Sequence, residues 1–325
     1  IAAYIFGLME ERPPFYTAMF IMYRGFFMAI VLLWFWGLNM YLWESHRVNY
    51  VFIFEFNPRE HTKHITMWRA ASVFSLVWAV FFLVSALSVS APPGFTWLAA
   101  LPPFVLPLGM LIAFCLAFFV YSFRSNHWLL RTLARVISTP APPILFRDFY
   151  IGDQLISLAI TLMDFEFIAC FYLSDVDNSF ASTRGNCLAI NVWMRPLIAS
   201  LPSFWRCVQC FRRYYDGRDI WQVANAGKYF AALIVTMFSI LRVLVPSVPA
   251  YTTLWLIAIS GATCFSYYWD VCRDWGILLV DPNTKRRSFI PHDPLYPNWW
   301  FYMAVPRNLV MRVMWTFTIS PNSLG

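Results

Sequence analysis

The sequence predicts an all-α, polytopic membrane protein. Of its 325 residues, 60% are hydrophobic and only 13% are charged, about half the charged share of soluble globular domains. Apolar runs of about twenty residues, the length of a membrane-spanning helix, recur along the whole chain. This composition excludes a soluble enzyme, a disordered chain and a disulfide-rich secreted scaffold.

Eight apolar windows are each long enough to cross the bilayer as a helix. They cover residues 17–43, 67–90, 97–121, 149–173, 190–210, 222–246, 251–273 and 299–319. Between the third and fourth windows, Arg131 and Arg135 stand four residues apart among apolar residues. This spacing predicts a short amphipathic helix on the cytoplasmic membrane surface.

The loops between the windows alternate in their content of Lys and Arg. There are three such residues in 44–66, none in 91–96, four in 122–148, one in 174–189, three in 211–221 and none in 247–250. Because loops rich in Lys and Arg stay in the cytoplasm, residue 1 is expected outside. The net charge of +7 is then explained by loops that face anionic lipid, without a nucleic-acid partner.

The first residues are apolar and lack an initiator Met, as at the end of an earlier span. The chain also stops soon after Pro321. We therefore expect one further span before residue 1 and one after residue 325, with both full-length termini in the cytoplasm.

Charged side chains occur inside the windows, although an ionised group at mid-bilayer costs about 2.5–3.5 kcal/mol even on insertion scales. Asp153 and Asp164 are eleven residues apart, which predicts nearly the same face of one helix. Arg195 and Arg206 repeat this spacing in the next window. Others are Glu166, Lys228, Arg312 and the pair Asp270 and Asp274 at the inner end of its window.

Two interpretations of these charges are open. They form interhelical ion pairs, which is an equal alternative for Asp164, Glu166 and Arg206, or they line a water-filled path. Arg312 favours the path because it is too deep to reach the membrane surface comfortably. Basic groups predict an anionic cargo, and the planar fork of Arg fits a tetrahedral oxyanion. Nearby carboxylates weaken the attraction, so the ion can leave.

Seven short motifs then suggest a family. They are Tyr23-Arg24-Gly25, Val51-Phe52-Ile53-Phe54-Glu55-Phe56-Asn57-Pro58-Arg59, Gly152-Asp153-Gln154-Leu155, Leu162-Met163-Asp164, Arg212-Arg213-Tyr214, Asn225-Ala226-Gly227-Lys228-Tyr229 and Trp269-Asp270-Val271-Cys272-Arg273-Asp274-Trp275-Gly276. In these motifs the chain resembles the EXS-domain family of phosphate exporters, over nearly its whole length.

The resemblance implies a ten-helix, channel-like exporter of inorganic phosphate in the plasma membrane, or in the Golgi membrane as in fungal relatives. Residues 1–325 would form the transmembrane domain, with the EXS core at about 148–325. An SPX domain that senses inositol pyrophosphates would precede it, and a last helix would follow it. We expect a homodimer in contact with membrane lipid, without a cofactor or a metal.

The resemblance also implies roles for individual residues. The phosphate path maps onto Asp153, Lys228, Tyr229, Asp270, Asp274 and Arg312, with Arg195, Arg206 and Arg218 as further basic positions and Trp315 as a gate. One departure is Ala159, where a serine is expected.

The cysteines support one structural prediction. Cys170 and Cys187 are both expected near the oxidising outer face, where a disulfide between them would tie the outer loop. Cys207 and Cys210 form a Cys-x-x-Cys at a helix end, which does not indicate a redox site in this setting.

Other functions remain as alternatives. The cargo could be another oxyanion, or the chain could recycle phosphate in the Golgi. A membrane enzyme acting on lipid phosphate would need a nucleophile or a metal box at the interface, and none is visible, so enzymatic activity is not expected. A surface receptor or scaffold would not need Lys and Arg inside the membrane.

Overall fold

The computed structural model describes residues 14–56, 62–90, 94, 97, 104–124, 127–175, 186–277, 289–290 and 297–318. Each regular element in these ranges is helical. The eleven α-helices described are α1 (Pro14–Ser45), α2 (Tyr50–Ile53), α3 (His64–Ser90), α4 (Val105–Arg124), α5 (Trp128–Ile137), α6 (Phe146–Ser157), α7 (Ala159–Cys170), α8 (Asn186–Gly217), α9 (Ile220–Leu244), α10 (Ala250–Tyr268) and α11 (Asn298–Val313).

Three of these helices continue as tighter or wider turns. The π-helices Phe171–Asp175 and Trp269–Asp274 extend α7 and α10, and the 3-10 helix Met314–Thr318 extends α11. π-Helical turns are rare and frequent at functional sites. The second of them contains both acidic residues predicted at the end of α10, Asp270 and Asp274.

The predicted polytopic helical membrane protein is confirmed in its class. Helices α1, α3, α4 and α9 are long and apolar enough to cross a membrane, and α6 with α7 would make a fifth span. The predicted windows that contain α8, α10 and α11 do not meet this criterion. Helix α8 contains several arginines, α10 is rich in Ser, Thr and Tyr, and α11 is only 16 residues long. The count of eight spans therefore stays a prediction.

The chain divides into two compact units, Ile1–Asp219 and Ile220–Gly325. In the first unit, α1 packs against α3 and α7, and α8 packs against α6 and α7. Its core includes Met22, Tyr23, Phe26, Met110 and Phe167. The amphipathic helix predicted near residue 131 is present as α5, which packs against α6. Its position at a membrane surface stays a prediction.

The sequence predicted one continuous helix over 149–173, but the structure has two helices there. The chain bends by 70° between α6 and α7, where Leu158 leaves the helical region with φ −94° and ψ 13°. Asp153 and Asp164 therefore lie on different segments, and their predicted common helix face was wrong. No Pro or Gly occurs in 154–162, so the sequence contains no local signal for this break.

In the second unit, α9 and α10 form an antiparallel hairpin that α11 extends by packing against α10. The loop between α9 and α10 contains Pro246 and Pro249. Pro246 follows the end of α9, where a proline cannot continue the helix, and Pro249 is the N-cap residue of α10. These prolines fix the closed end of the hairpin.

Candidate functional site

The most polar cluster of the second unit joins the π-turn after α10 to α11. Arg312 Nε donates a hydrogen bond of 3.0 Å to Asp270 Oδ2, and its Nη2 donates to the same oxygen. Asn308, one turn before Arg312, donates to this oxygen as well at 2.9 Å. The structure thus brings together two of the predicted path residues, Asp270 and Arg312.

Arg312 uses only part of its hydrogen-bonding capacity. A guanidinium group has five N–H donors, and both hydrogen bonds that Arg312 makes within the described ranges go to a single carboxylate oxygen. Its side chain is 29% exposed, against 17% for Asp270. Arg312 therefore has unused donors on an accessible side chain, which is what an anion-binding residue requires.

Lys228 lies beside the same π-turn. Its Nζ atom is 5.6 Å from the ring centroid of Trp269, which precedes Asp270, and 4.9 Å from that of Tyr229. Both distances are within the range of a cation–π contact. Tyr229 is buried, so the lysine lies over a fixed aromatic surface.

Trp315 contacts α10 closer to the start of that helix than Arg312 does. Its Nε1 donates a 3.2 Å hydrogen bond to Thr263 Oγ1. Its ring meets Trp255 edge to face, with the centroids 6.0 Å apart and the planes at 77°. The role of Trp315 as a gate stays a prediction, but its side chain is held between two residues of α10.

The other predicted path residues are spread over the two units. Asp274 ends the π-turn and is exposed. Arg218 follows α8 with a positive φ of 55° and contacts the ring of Tyr215. Asp153 lies on α6, in the first unit. The phosphate role of these residues stays a prediction.

Arg206 is fully engaged within the first unit. Its Nε and Nη2 donate to the two oxygens of Asp153 at 2.7 and 3.1 Å, and its Nη1 donates to Gln209 Oε1 at 2.9 Å. The guanidinium carbon is 3.4 Å from the ring centroid of Phe149. The Arg206 side chain is 1% exposed, whereas that of Asp153 is 45% exposed. This geometry favours the ion-pair interpretation of Arg206.

Gly152 makes room for this pair. A Cβ atom added at Gly152 would lie 2.5 Å from Arg206 Cδ and 3.0 Å from Gln209 Oε1. Because α6 and α8 pack closely here, any larger residue would push the guanidinium away from Asp153.

We expect Gly152→Ala to destabilise the protein by about 1–3 kcal/mol, the usual range for overpacking a core. Gly261→Ala is the matched control, because nothing lies within 4 Å of a Cβ added there, and Ala favours a helix by about 1 kcal/mol over Gly. Thermal melting of the two purified variants measures the difference. Equal melting temperatures would contradict the close approach of α6 and α8.

Asp164 is the centre of a second ion-pair cluster in the first unit. Arg24 Nε and Nη2 donate to its two oxygens at 3.0 and 2.7 Å, and Arg195 Nη2 lies 3.9 Å from Oδ1. Asp164 is 0% exposed. Two arginines of α8 thus meet the two aspartates, Arg206 with Asp153 and Arg195 with Asp164, in one antiparallel register. The ion-pair interpretation therefore fits Asp164 too.

The large cavity of the first unit is not an anion site. It has a volume of about 780 Å³, and no charged side chain is among the residues that line it. Phe114, Leu155 and Ile168 are typical of its lining. An anion would be desolvated there without compensation.

Sequence reasoning missed several residues of these clusters. Arg24 and Arg242 both lie inside predicted windows, so the criterion applied to the other charges would have found them. Asn308, Gln209 and Phe149 carry no such signal, because neutral residues of these types are common in membrane helices. Only the three-dimensional structure shows their contacts.

The predicted disulfide cannot be placed. Cys170 ends α7, but the side chain of Cys187 lies outside the part of the chain that the structure describes. Cys207 and Cys210 are buried on α8, and neither forms a disulfide. No group of three metal-ligating side chains occurs among the described residues.

Comparison with known proteins gives a consistent picture. The sequence profile of the EXS family matches residues 19–325. SPX and EXS domain-containing protein 1 of Dictyostelium discoideum is 32% identical over 307 residues, which are 92% of this chain and 32% of that protein.

Two vertebrate proteins are similarly related. The Xenotropic and polytropic retrovirus receptor 1 homolog of Xenopus laevis is 31% identical, over 93% of this chain and 45% of that protein. Human Solute carrier family 53 member 1 is 29% identical, over 99% of this chain and 47% of that protein. The chain thus spans about a third to about a half of the length of these relatives.

Proposed function

Because this chain belongs to the EXS family, a family with a named solute carrier among its members, we propose that it exports inorganic phosphate. The path that we propose follows the second unit, along α9, α10 and α11. Lys228 and Arg312 attract the anion, and Asp270 limits how tightly it is held. The protein acts as a transporter and not as an enzyme.

The observation that supports this proposal is that Arg312 uses only some of its guanidinium donors. Arg206 donates hydrogen bonds to Asp153 and Gln209 and is buried, as a structural ion pair requires. Arg312 meets only one oxygen of Asp270 and is 29% exposed. A phosphate oxygen can take up the remaining donors without breaking the ion pair.

The driving force needs no cofactor. With the cell interior negative, each exported negative charge gains about 2.3 kcal/mol per 100 mV. An open, hydrated path is therefore enough to move phosphate outward. Asp270 keeps the binding weak enough for release, as conduction requires.

Phosphate flux in proteoliposomes tests this function. Vesicles that contain the full chain and are loaded with labelled phosphate should release it faster than loaded vesicles without protein. Sulfate in excess should compete weakly if phosphate is the cargo and strongly if the chain carries oxyanions in general. Absence of protein-dependent release of either anion would exclude the proposal and leave the receptor or scaffold function as the alternative.

Several finer expectations accompany this proposal. The flux would be channel-like, and inositol pyrophosphates would regulate it through an SPX domain outside this chain. The site of action would be the plasma membrane, with the Golgi membrane as the alternative. The protein would work as a homodimer, and a disulfide between Cys170 and Cys187 would tie its outer loop.

A further inference from the structure

A cation lies over a tryptophan at both ends of the α9–α10 hairpin. At the open end, Lys228 Nζ is 5.6 Å from the Trp269 ring centroid. At the closed end, the guanidinium carbon of Arg242 is only 3.8 Å from the centroid of Trp255. Arg242 belongs to none of the sequence motifs described above.

The two pairs occupy equivalent positions. Arg242 follows Lys228 by fourteen residues on α9, and Trp255 precedes Trp269 by fourteen residues on the antiparallel segment. Fourteen residues make about four helical turns and about 21 Å, so the two cations project from nearly the same face of α9. The hairpin therefore repeats one arrangement at two depths.

One hydrogen-bond donor of Arg242 is unsatisfied within the described part of the chain. Its Nε atom is buried and has no hydrogen-bond acceptor among the described residues. A buried donor left unsatisfied costs about 1–3 kcal/mol, and more when it is charged. The stacked tryptophan fixes the plane of the guanidinium but cannot accept its N–H bonds in that plane. An oxyanion bound at the Nη donors of the group would compensate this charge.

The position of Arg242 relates it to Trp315. Trp255 lies under Arg242 and also meets the ring of Trp315. Along α10, Thr263, which accepts a hydrogen bond from Trp315, lies between Asp270, the partner of Arg312, and Trp255, the partner of Arg242. A cation is thus present on each side of the predicted gate.

We propose that Arg242 is a second binding position for the transported oxyanion, on the far side of Trp315 from Arg312. This inference rests on the proposed function. On the topology predicted from the loop charges, Arg242 lies toward the outer face, where it receives the anion after it passes Trp315 and is accessible to anions from outside.

The inference is tested by external phosphate in cells that express the full chain and lack other phosphate exporters. External phosphate should bind at Arg242 and slow the efflux of labelled internal phosphate. In Arg242→Gln, half-inhibition should need at least about tenfold more external phosphate, because a hydrogen bond to a charged group contributes about 1.5–3 kcal/mol and each 1.4 kcal/mol is a factor of ten. The internal phosphate concentration that gives half-maximal efflux should stay unchanged.

Two further variants separate binding from packing and from the helix-end charge. Arg242→Met retains apolar contact with Trp255 without charge and should behave like Arg242→Gln. Arg242→Lys keeps a cation in the last turn of α9 but lacks the fork, so it should be intermediate. Arg307→Gln removes an exposed charge from α11 and should leave the inhibition unchanged.

Each result decides the inference. If Arg242→Met or Arg242→Gln retains wild-type inhibition at normal surface abundance, Arg242 serves packing and the inference is wrong. If the wild-type chain releases no phosphate, the proposed function fails, and the inference fails with it. If efflux depends on Arg312 but external inhibition does not depend on Arg242, only the inference fails.

Discussion

Replacing Arg312 by glutamine is expected to reduce phosphate efflux by about ten- to a hundredfold, while surface abundance stays normal. The size follows from losing charge-assisted hydrogen bonds to the anion, worth about 1.5–3 kcal/mol, at about 1.4 kcal/mol per factor of ten. Arg312→Lys should recover part of the flux, because it restores the charge but not the fork. The assay is release of labelled phosphate from proteoliposomes.

A second variant separates this role from a structural one. Arg312 also neutralises Asp270, so loss of flux alone would not show contact with the cargo. In the double variant Asp270→Asn with Arg312→Gln, no carboxylate is left without its arginine. If Arg312 serves only to neutralise Asp270, this double variant should recover the flux. We expect it to remain inactive, with Arg307→Gln as the unaffected control on the same helix.

Replacing Asp164 by asparagine is expected to produce the largest loss of stability. Asp164 is fully buried and neutralises Arg24 directly, with Arg195 nearby. Removing one member of a fully buried ion pair costs about 3–5 kcal/mol. The loss should lie at or below the lower end of that range, because the Arg24 side chain is 37% exposed and stays partly hydrated. In Asp164→Asn, Arg24 and Arg195 would both face a neutral side chain.

Glu166→Gln is the matched control for this prediction. Glu166 lies two residues away on α7, and its buried Oε2 atom has no hydrogen-bond partner in the described parts of the chain. Loss of its charge should therefore have a much smaller effect. Thermal melting of the purified variants, with surface abundance as a second readout, checks both. A melting temperature of Asp164→Asn equal to that of Glu166→Gln would contradict a stabilising role for the Arg24–Asp164 pair.

Hydrophobicity and charge spacing predicted the helical membrane class and the principal polar residues. The cost of charge in hydrocarbon is a property of each side chain, so Lys228, Asp270 and Arg312 could be identified without coordinates. The eleven-residue spacing also proved meaningful, although not as expected. It places Arg195 and Arg206 opposite Asp164 and Asp153 in one register. This register continues across the bend at Leu158, for which the sequence contains no local signal.

By itself, the sequence determined that this chain forms apolar helices with a few charges among them, because transfer free energies and helix geometry depend on residue type and spacing alone. Only the tertiary structure decided which charges neutralise one another and which retain free donors. That distinction depends on partners from distant parts of the chain. Arg206 meets both oxygens of Asp153 and the amide of Gln209, whereas Arg312 meets a single oxygen of Asp270. Two arginines with the same chemistry thereby have different hydrogen-bond environments.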